Sequence, residues 1–153
     1  MQWLEDTLRE AEKNLEVVYI IGHIPPGDST YLSECNKRYN ALIDRFSHII
    51  RGQLFGHTHF DELRTTHEYF NETNISGVIY TAPSLTTSID LVPSFRVFEV
   101  DTNTKHLKDY VQYRLNLTKA NESPEEKPKW EISYRATEVM TLFLYLLNLL
   151  NFL

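Results

Sequence analysis

The sequence lacks a pair of cysteines, a cluster of basic residues and a long apolar run in its interior. Cys35 is the only cysteine, and two interpretations stay open: a disulfide partner outside this sequence, or a buried thiol. The net charge is −6, which argues against a nucleic acid polymer as the partner. It also argues against electrostatic docking on an anionic membrane, although a zwitterionic lipid would require no basic patch.

The composition that is present is ordinary for a globular protein. The chain has 153 residues, of which 42% are hydrophobic and 12% aromatic. This length allows one domain with a sizeable core, and this composition excludes intrinsic disorder.

Two short apolar runs each end in a glycine followed by a histidine. Residues 17–21 predict a buried strand and precede Gly22 and His23, while residues 53–55 predict another and precede the GHTH stretch with His57 and His59. A helical pattern over residues 33–50 lies between them. The order predicts a βαβ unit whose histidines gather at the carboxyl ends of two parallel strands.

Histidines at this spacing are suited to metals. Two imidazoles two residues apart can share one ion, or can divide between two ions about 3.5–4 Å apart, the spacing used for phosphate ester hydrolysis. A GHxH stretch alone is weak support, because a single histidine near a strand end is more often a hydrogen-bonded structural residue.

The remaining pattern predicts a helix over residues 1–14 and short strands over 78–81, 95–100 and 110–117, the last two forming an antiparallel pair. Residues 61–66 are polar and predict a loop that continues through an exposed His67. We interpret His48 as a structural or surface residue. Asp28 is a turn or capping residue near the proposed metals, and of its two interpretations, a residue of the site or a solvated loop carboxylate, we favour the second.

Five stretches in order carry a resemblance to a known family: GHIPPG, GHTHFDEL, YTAPSLTTSIDLVPSFRVFEVD, YRLNLTKAN and WEISYRATE. Together they are similar to the C-terminal half of the catalytic domain of acid sphingomyelinases, within the calcineurin-like metallophosphoesterases. The resemblance covers roughly residues 3–138.

The resemblance implies an α/β fold, the C-terminal half of a mixed β-sheet sandwich with flanking helices. The last fifteen residues do not share the resemblance, and their apolar composition predicts an additional C-terminal helix. It implies two zinc ions, with His23 and His57 on one ion and His59 on its neighbour. The family's Asp-x-His, Gly-Asp and Gly-Asn-His stretches do not occur before Gly22. We therefore expect a fragment, a truncated gene model or a degenerate copy, in which no catalytic residue can be assigned and which is inactive alone.

The implied reaction is zinc-dependent hydrolysis of sphingomyelin to ceramide and phosphocholine, with transient contact with a lipid surface. Two alternatives stay open: a sphingomyelinase-like phosphodiesterase acting on nucleotides or other small phosphodiesters, and a non-catalytic remnant or interaction protein. The three histidines would act as ligands and not as bases.

The sequence contains four N-x-S/T sequons, at Asn71, Asn74, Asn116 and Asn121. This number is larger than the asparagine content gives by chance, and the excess suggests a secretory protein. Together with the resemblance they predict a secreted or lysosomal location. No signal peptide precedes them; this is expected if the N-terminal half of the protein has been lost, and it contradicts a secretory protein if Met1 is the true start.

The predicted domain organisation is a catalytic part over residues 1–120, a linker over 121–129 and the start of a C-terminal helical region over 130–153. The linker is predicted from two prolines and alternating charge. Residues 139–153 are apolar nearly all round, but they are shorter than the roughly 20 residues that span a bilayer. They predict the start of a helical lobe, a marginal membrane segment or a non-native continuation from a misread exon, and we favour the last.

Overall fold

A computed structural model describes residues 1–68 and 73–141. These residues divide into two compact units, the first ending at Ala82 and the second beginning at Pro83. In its described residues the first unit contains two helices and four strands, in the order α1 (Gln2–Lys13), β1 (Val18–Ile21), α2 (Ser33–Arg45), β2 (Ile50–Phe55), β3 (Glu62–His67) and β4 (Ile75–Thr81). The strands form one sheet in the order β1-β2-β4-β3. β1, β2 and β4 are parallel, and β3 is antiparallel to β4.

The predicted βαβ unit is confirmed by β1, α2 and β2. The second helix begins at Ser33 as predicted but ends at Arg45, because residues from Ile50 onward pair with β1. Two corrections apply nearby. The polar stretch that predicted a loop is strand β3, and His67 is an exposed strand residue.

The core of the first unit forms where α1 meets the end of α2. Leu8 and Ala11 on α1 pack with Phe46 and Ile49, and all four side chains are at most 7% exposed. Full burial of a large apolar side chain stabilises a fold by about 1.5–3 kcal/mol, so this cluster fixes α1 against the segment that leads into β2.

A second buried group is polar. Gln53 on β2 is 1% exposed, and its side-chain oxygen accepts a hydrogen bond from the Tyr39 hydroxyl at 2.8 Å. Burial raises the pKa of Tyr39, so the phenol stays a donor. Gly77 on β4 leaves room for this group, because a Cβ there would lie 2.7 Å from Gln53 Nε2.

Within the described residues, the second unit contains three strands, a short helix and a helical segment over 136–141; the elements up to that segment are β5 (Ser94–Val100), β6 (Leu107–Leu115), α3 (Leu117–Glu122) and β7 (Trp130–Arg135). They form a sheet in the order β5-β6-β7 with both pairs antiparallel. The predicted antiparallel pair is confirmed. Strand β7 and helix α3 were not predicted, and the aromatic rings of Phe95, Tyr113 and Trp130 pack across this sheet.

The described part of the chain is thus a mixed α/β protein with two sheets and several helices. The sandwich, the three predicted domains and the linker stay predictions. Residues 136–141 are helical, but most of the predicted apolar C-terminal helix lies outside the described residues. Among the residues with described structure, no helix has the length and apolar character required to cross a membrane.

Candidate metal centre

The parallel pairing of β1 and β2 brings the two glycine–histidine stretches to one edge of the sheet. Hydrogen bonds continue past the ends of both strands, from Gly22 N–H to the Leu54 carbonyl at 3.0 Å and from Gly56 N–H to the His23 carbonyl at 3.0 Å. Gly22 is required by packing, since a Cβ there would lie 2.5 Å from Cε1 of Phe55. The two histidines therefore lie at the end of a continuous ladder of backbone hydrogen bonds between the two segments.

His23 and His57 face each other at this edge. His23 Nε2 lies 3.3 Å from His57 Nδ1, with ring centroids 5.1 Å apart and an interplanar angle of 77°. Two Zn–N bonds of about 2.0–2.1 Å in tetrahedral geometry place their nitrogens about 3.3–3.4 Å apart. The spacing fits two ligands of one zinc ion as well as a hydrogen bond between neutral rings.

The backbone of the second histidine loop is unusual. His57 and His59 have φ values of 73° and 65°, in the left-handed region that non-glycine residues adopt infrequently. Such conformations persist where surrounding structure imposes them, and they cluster at functional sites. The imposed turn directs His57 toward His23.

His59 lies on the same loop, and its side chain is partly exposed. Within the ranges that the structure describes, no three His, Cys, Asp or Glu side chains are grouped so that they could hold a metal ion. His23 and His57 are thus brought together, while the assignment of His59 to a neighbouring ion stays a prediction.

Asp28 and Thr30 lie on the other side of the His57 ring. Asp28 accepts hydrogen bonds from the Thr30 backbone N–H at 2.9 Å and from its hydroxyl at 2.7 Å, and these bonds hold the pKa of Asp28 below its usual value. The positive charge of Arg64 acts in the same direction. The Asp28 side chain is only 14% exposed, which differs from the solvated carboxylate that the sequence predicted.

Neither Thr30 nor Arg64 was predicted from the sequence as a residue of this site. The available signal for Thr30 was the Asp-x-Thr spacing after Pro-Pro-Gly, which is typical of a side-chain-capped turn. Arg64 gave no signal, because its position depends on β3; its guanidinium lies 2.9 Å from Glu62 and 3.5 Å from the Pro26 carbonyl.

The other titratable residues named from the sequence lie outside this cluster. His48 Nε2 is 2.9 Å from a carboxylate oxygen of Glu12, in agreement with a surface role. His67 Nε2 is 2.8 Å from the Thr65 hydroxyl. Cys35 is a partly buried free thiol on α2.

Three sequons lie in described structure. Asn74 is exposed, and its amide donates to Glu68 at 2.9 Å. Asn116 caps α3 by accepting from the Lys119 backbone N–H at 3.1 Å, and Asn121 is exposed on the same helix. Asn71 lies outside the described residues.

Two sphingomyelin phosphodiesterases and a sphingomyelinase-like relative are similar to this chain along nearly its whole length. Sphingomyelin phosphodiesterase of Bos taurus is 40% identical over 149 residues, covering 93% of this chain and 23% of the bovine protein. Sphingomyelin phosphodiesterase B of Dictyostelium discoideum is 35% identical over 148 residues, covering 93% of this chain and 23% of that protein. The human acid sphingomyelinase-like phosphodiesterase 3b is 37% identical over 152 residues, covering 90% of this chain and 33% of that protein. No family model matches the chain.

The similarity covers the strands and loops that carry His23, His57 and His59. The chain spans between 23% and 33% of the length of these three relatives. These matches confirm the resemblance seen in the motifs: over 90–93% of its length the chain is similar to acid sphingomyelinases and their sphingomyelinase-like relatives.

Proposed function

We propose that this chain supplies the histidine part of a zinc centre in a phosphodiesterase that hydrolyses sphingomyelin to ceramide and phosphocholine. The observation that carries the proposal is the 3.3 Å separation of His23 Nε2 and His57 Nδ1 at the carboxyl ends of two parallel strands. The similarity to sphingomyelin phosphodiesterases supports the reaction class.

The residues have separate tasks in this proposal. His23 and His57 would hold one zinc ion through the two facing nitrogens, and His59 would contribute to a second ion. When bound, zinc supplies an activated water nucleophile and offsets the charge that develops on the phosphate oxygens. The neutral imidazoles contribute lone pairs only, and the left-handed turn at His57 keeps its ring directed at His23.

The number of ligands argues that the chain alone has little or no activity. Catalytic zinc usually has three protein ligands and an open position. His23 and His57 provide two for one ion, and His59 provides one for the other. The remaining ligands, and the acid that protonates the leaving group, would come from residues outside this sequence.

Zinc binding tests the proposal directly. We expect the purified chain to bind zinc in equilibrium dialysis, and His23→Ala or His57→Ala to remove most of that binding. His67→Ala is the matched control, because His67 is an exposed histidine on the same sheet. Equal binding by His57→Ala and the wild-type chain would contradict the proposed centre.

A second candidate is hydrolysis of nucleotides or other small phosphodiesters. It is favoured by the similarity to the human sphingomyelinase-like phosphodiesterase at 37% identity. The two candidates are distinguished by assaying the chain, mixed with the N-terminal half of a homologue, against sphingomyelin and a chromogenic phosphodiester. Turnover of the chromogenic substrate alone favours the second candidate. Absence of both activities, together with absence of zinc binding, favours a non-catalytic interaction protein.

The proposed location is secreted or lysosomal. It is supported by the exposure of Asn74 and Asn121 in their sequons, since an acceptor asparagine has to be accessible to the glycosylating enzyme.

A further inference from the structure

A hydrogen-bonded series of side chains ends on the outer nitrogen of His57. Asp28 Oδ1 accepts from the Thr30 hydroxyl at 2.7 Å, and Thr30 Oγ1 lies 3.4 Å from His57 Nε2. Asp28 Oδ1 itself is 4.0 Å from the same nitrogen. His57 Nε2 therefore faces two oxygen atoms.

The single proton of the Thr30 hydroxyl sets the direction of this series. A hydroxyl has one proton to donate and lone pairs with which to accept. The proton goes to Asp28, because that bond is shorter and the acceptor is a carboxylate. The hydroxyl oxygen is then an acceptor for an N–H on His57 Nε2.

A neutral imidazole has only one N–H, so a proton on Nε2 leaves a lone pair on Nδ1. This is the nitrogen that lies 3.3 Å from His23 Nε2. We propose that Thr30 and Asp28 are positioning residues that fix His57 as its Nε2–H tautomer and so leave Nδ1 as the metal ligand. The metal-binding consequence rests on the proposed function, whereas the tautomer is a property of the metal-free chain.

Hydrogen-bond partners of a metal-binding histidine affect the affinity for the metal. A hydrogen bond to the ring nitrogen that does not bind the metal fixes the ring orientation and raises the basicity of the other nitrogen, and loss of such a partner typically costs about 10–100-fold in metal affinity. Thr30 is itself exposed, so its substitution does not disturb the core.

The tautomer is read in the full metal-free chain by ¹⁵N NMR, about two pH units above the unperturbed histidine pKa of about 6.5. We expect wild-type His57 almost wholly as the Nε2–H form. Asp28→Ala with Thr30→Val, which removes both oxygens, should give a measurable Nδ1–H population, while Thr30→Ser should keep the wild-type form. An unchanged tautomer in the double variant would overturn the proposal.

The matched control lies in the second unit. Asp101 accepts from the Thr104 backbone N–H at 2.8 Å and from its hydroxyl at 3.0 Å, so Thr104→Val breaks the same kind of turn far along the chain from His57. It should leave the His57 tautomer unchanged. Backbone amide spectra confirm that each variant is folded.

Metal affinity is measured by zinc titration against a chromophoric chelator. We expect Thr30→Val to bind zinc about 10–100-fold more weakly, and Thr30→Ser and Thr104→Val to match the wild-type chain. Wild-type affinity in Thr30→Val, with binding still lost in His57→Ala, would overturn the positioning role and leave the proposed function intact. Binding that His57→Ala does not change would overturn the proposed function, and the tautomer measurement would then decide the positioning inference alone.

Discussion

His57 combines a strained backbone with a directed side chain. Its φ of 73° costs a residue with a Cβ about 1–2 kcal/mol, a cost that glycine avoids. The same turn places the His57 ring next to His23. The loop therefore adopts a less stable backbone conformation that holds the imidazole in this position.

The free-energy cost of the positive φ at position 57 can be measured with variants that lack the imidazole. We expect His57→Gly to be more stable than His57→Ala by about 1 kcal/mol, because only alanine retains the Cβ in the left-handed region. Urea unfolding gives the free energies. At His67, which lies in β3 and has no positive φ, the order should reverse, since glycine weakens a strand. If the glycine variant were more stable than the alanine variant at both positions, the interpretation of the positive φ would be contradicted.

Gly22 offers a second prediction at the residue scale. A Cβ there would lie 2.5 Å from Cε1 of Phe55, so Gly22→Ala should destabilise the fold by about 1–3 kcal/mol. Phe55→Leu in the same chain should recover part of that loss. Gly56→Ala is the control, because its Cβ would meet atoms no closer than 3.9 Å and should change stability little. Equal losses in urea unfolding at both glycines would count against the packing argument.

At the scale of elements, strand β6 is tied to the start of the helical residues 136–141. Asp109 on β6 accepts from the Thr137 backbone N–H at 3.1 Å and hydroxyl at 2.9 Å, and it lies 3.1 Å from the Arg135 guanidinium. Desolvation disfavours the charged carboxylate, but the hydrogen bonds from Thr137 and Arg135 outweigh it and lower the pKa of Asp109. The carboxylate therefore stabilises the fold while it is ionised.

The pH dependence follows from the lowered pKa of Asp109. A depressed folded-state pKa stabilises the native state above the unfolded value of 3.8, and this contribution disappears as the pH falls through the folded value. We expect Asp109→Asn to be less stable than wild type at neutral pH, with a difference that shrinks below about pH 4. Glu125→Gln, at an exposed position, is the control. Thermal unfolding across pH checks this, and a difference independent of pH would contradict it.

The elements themselves differed in how far the sequence predicted them. The βαβ unit was predictable because its strands are short apolar runs bounded by glycine and its helix has a clear 3.6-residue period. Strand β3 was not, because it is an edge strand whose ELRTTH sequence is mostly polar. The six residues of α3 are too few to establish a period, and β7 follows a segment whose composition indicated a linker.

The candidate site was predictable only in part for a related reason. His23 and His57 follow glycines at the ends of adjacent strands, so their proximity follows from the βαβ unit. The contact between Thr30 and His57 depends on the path of the loop after Pro26, which no residue pattern specifies.

At the scale of the whole molecule, glycosylation tests the proposed compartment. Expressed with a secretion signal in eukaryotic cells, the chain should carry glycans on Asn116 and on at least one of Asn71 and Asn74. Substitution of each asparagine by glutamine and gel mobility after glycosidase treatment measure the occupancy. An unchanged mobility after treatment of the wild-type chain would contradict the secretory assignment.

The parallel pairing of β1 with β2 also has a consequence for the order of folding. The two facing histidines are 34 residues apart in the chain and meet only when the crossover through α2 is complete. Closing such a non-local contact carries an entropic cost before it yields any stabilisation, so it belongs to the slower events of folding. A cation that binds both His23 and His57 would therefore bind only after β1 and β2 have paired. Its rate of binding during refolding would report when this pairing is complete.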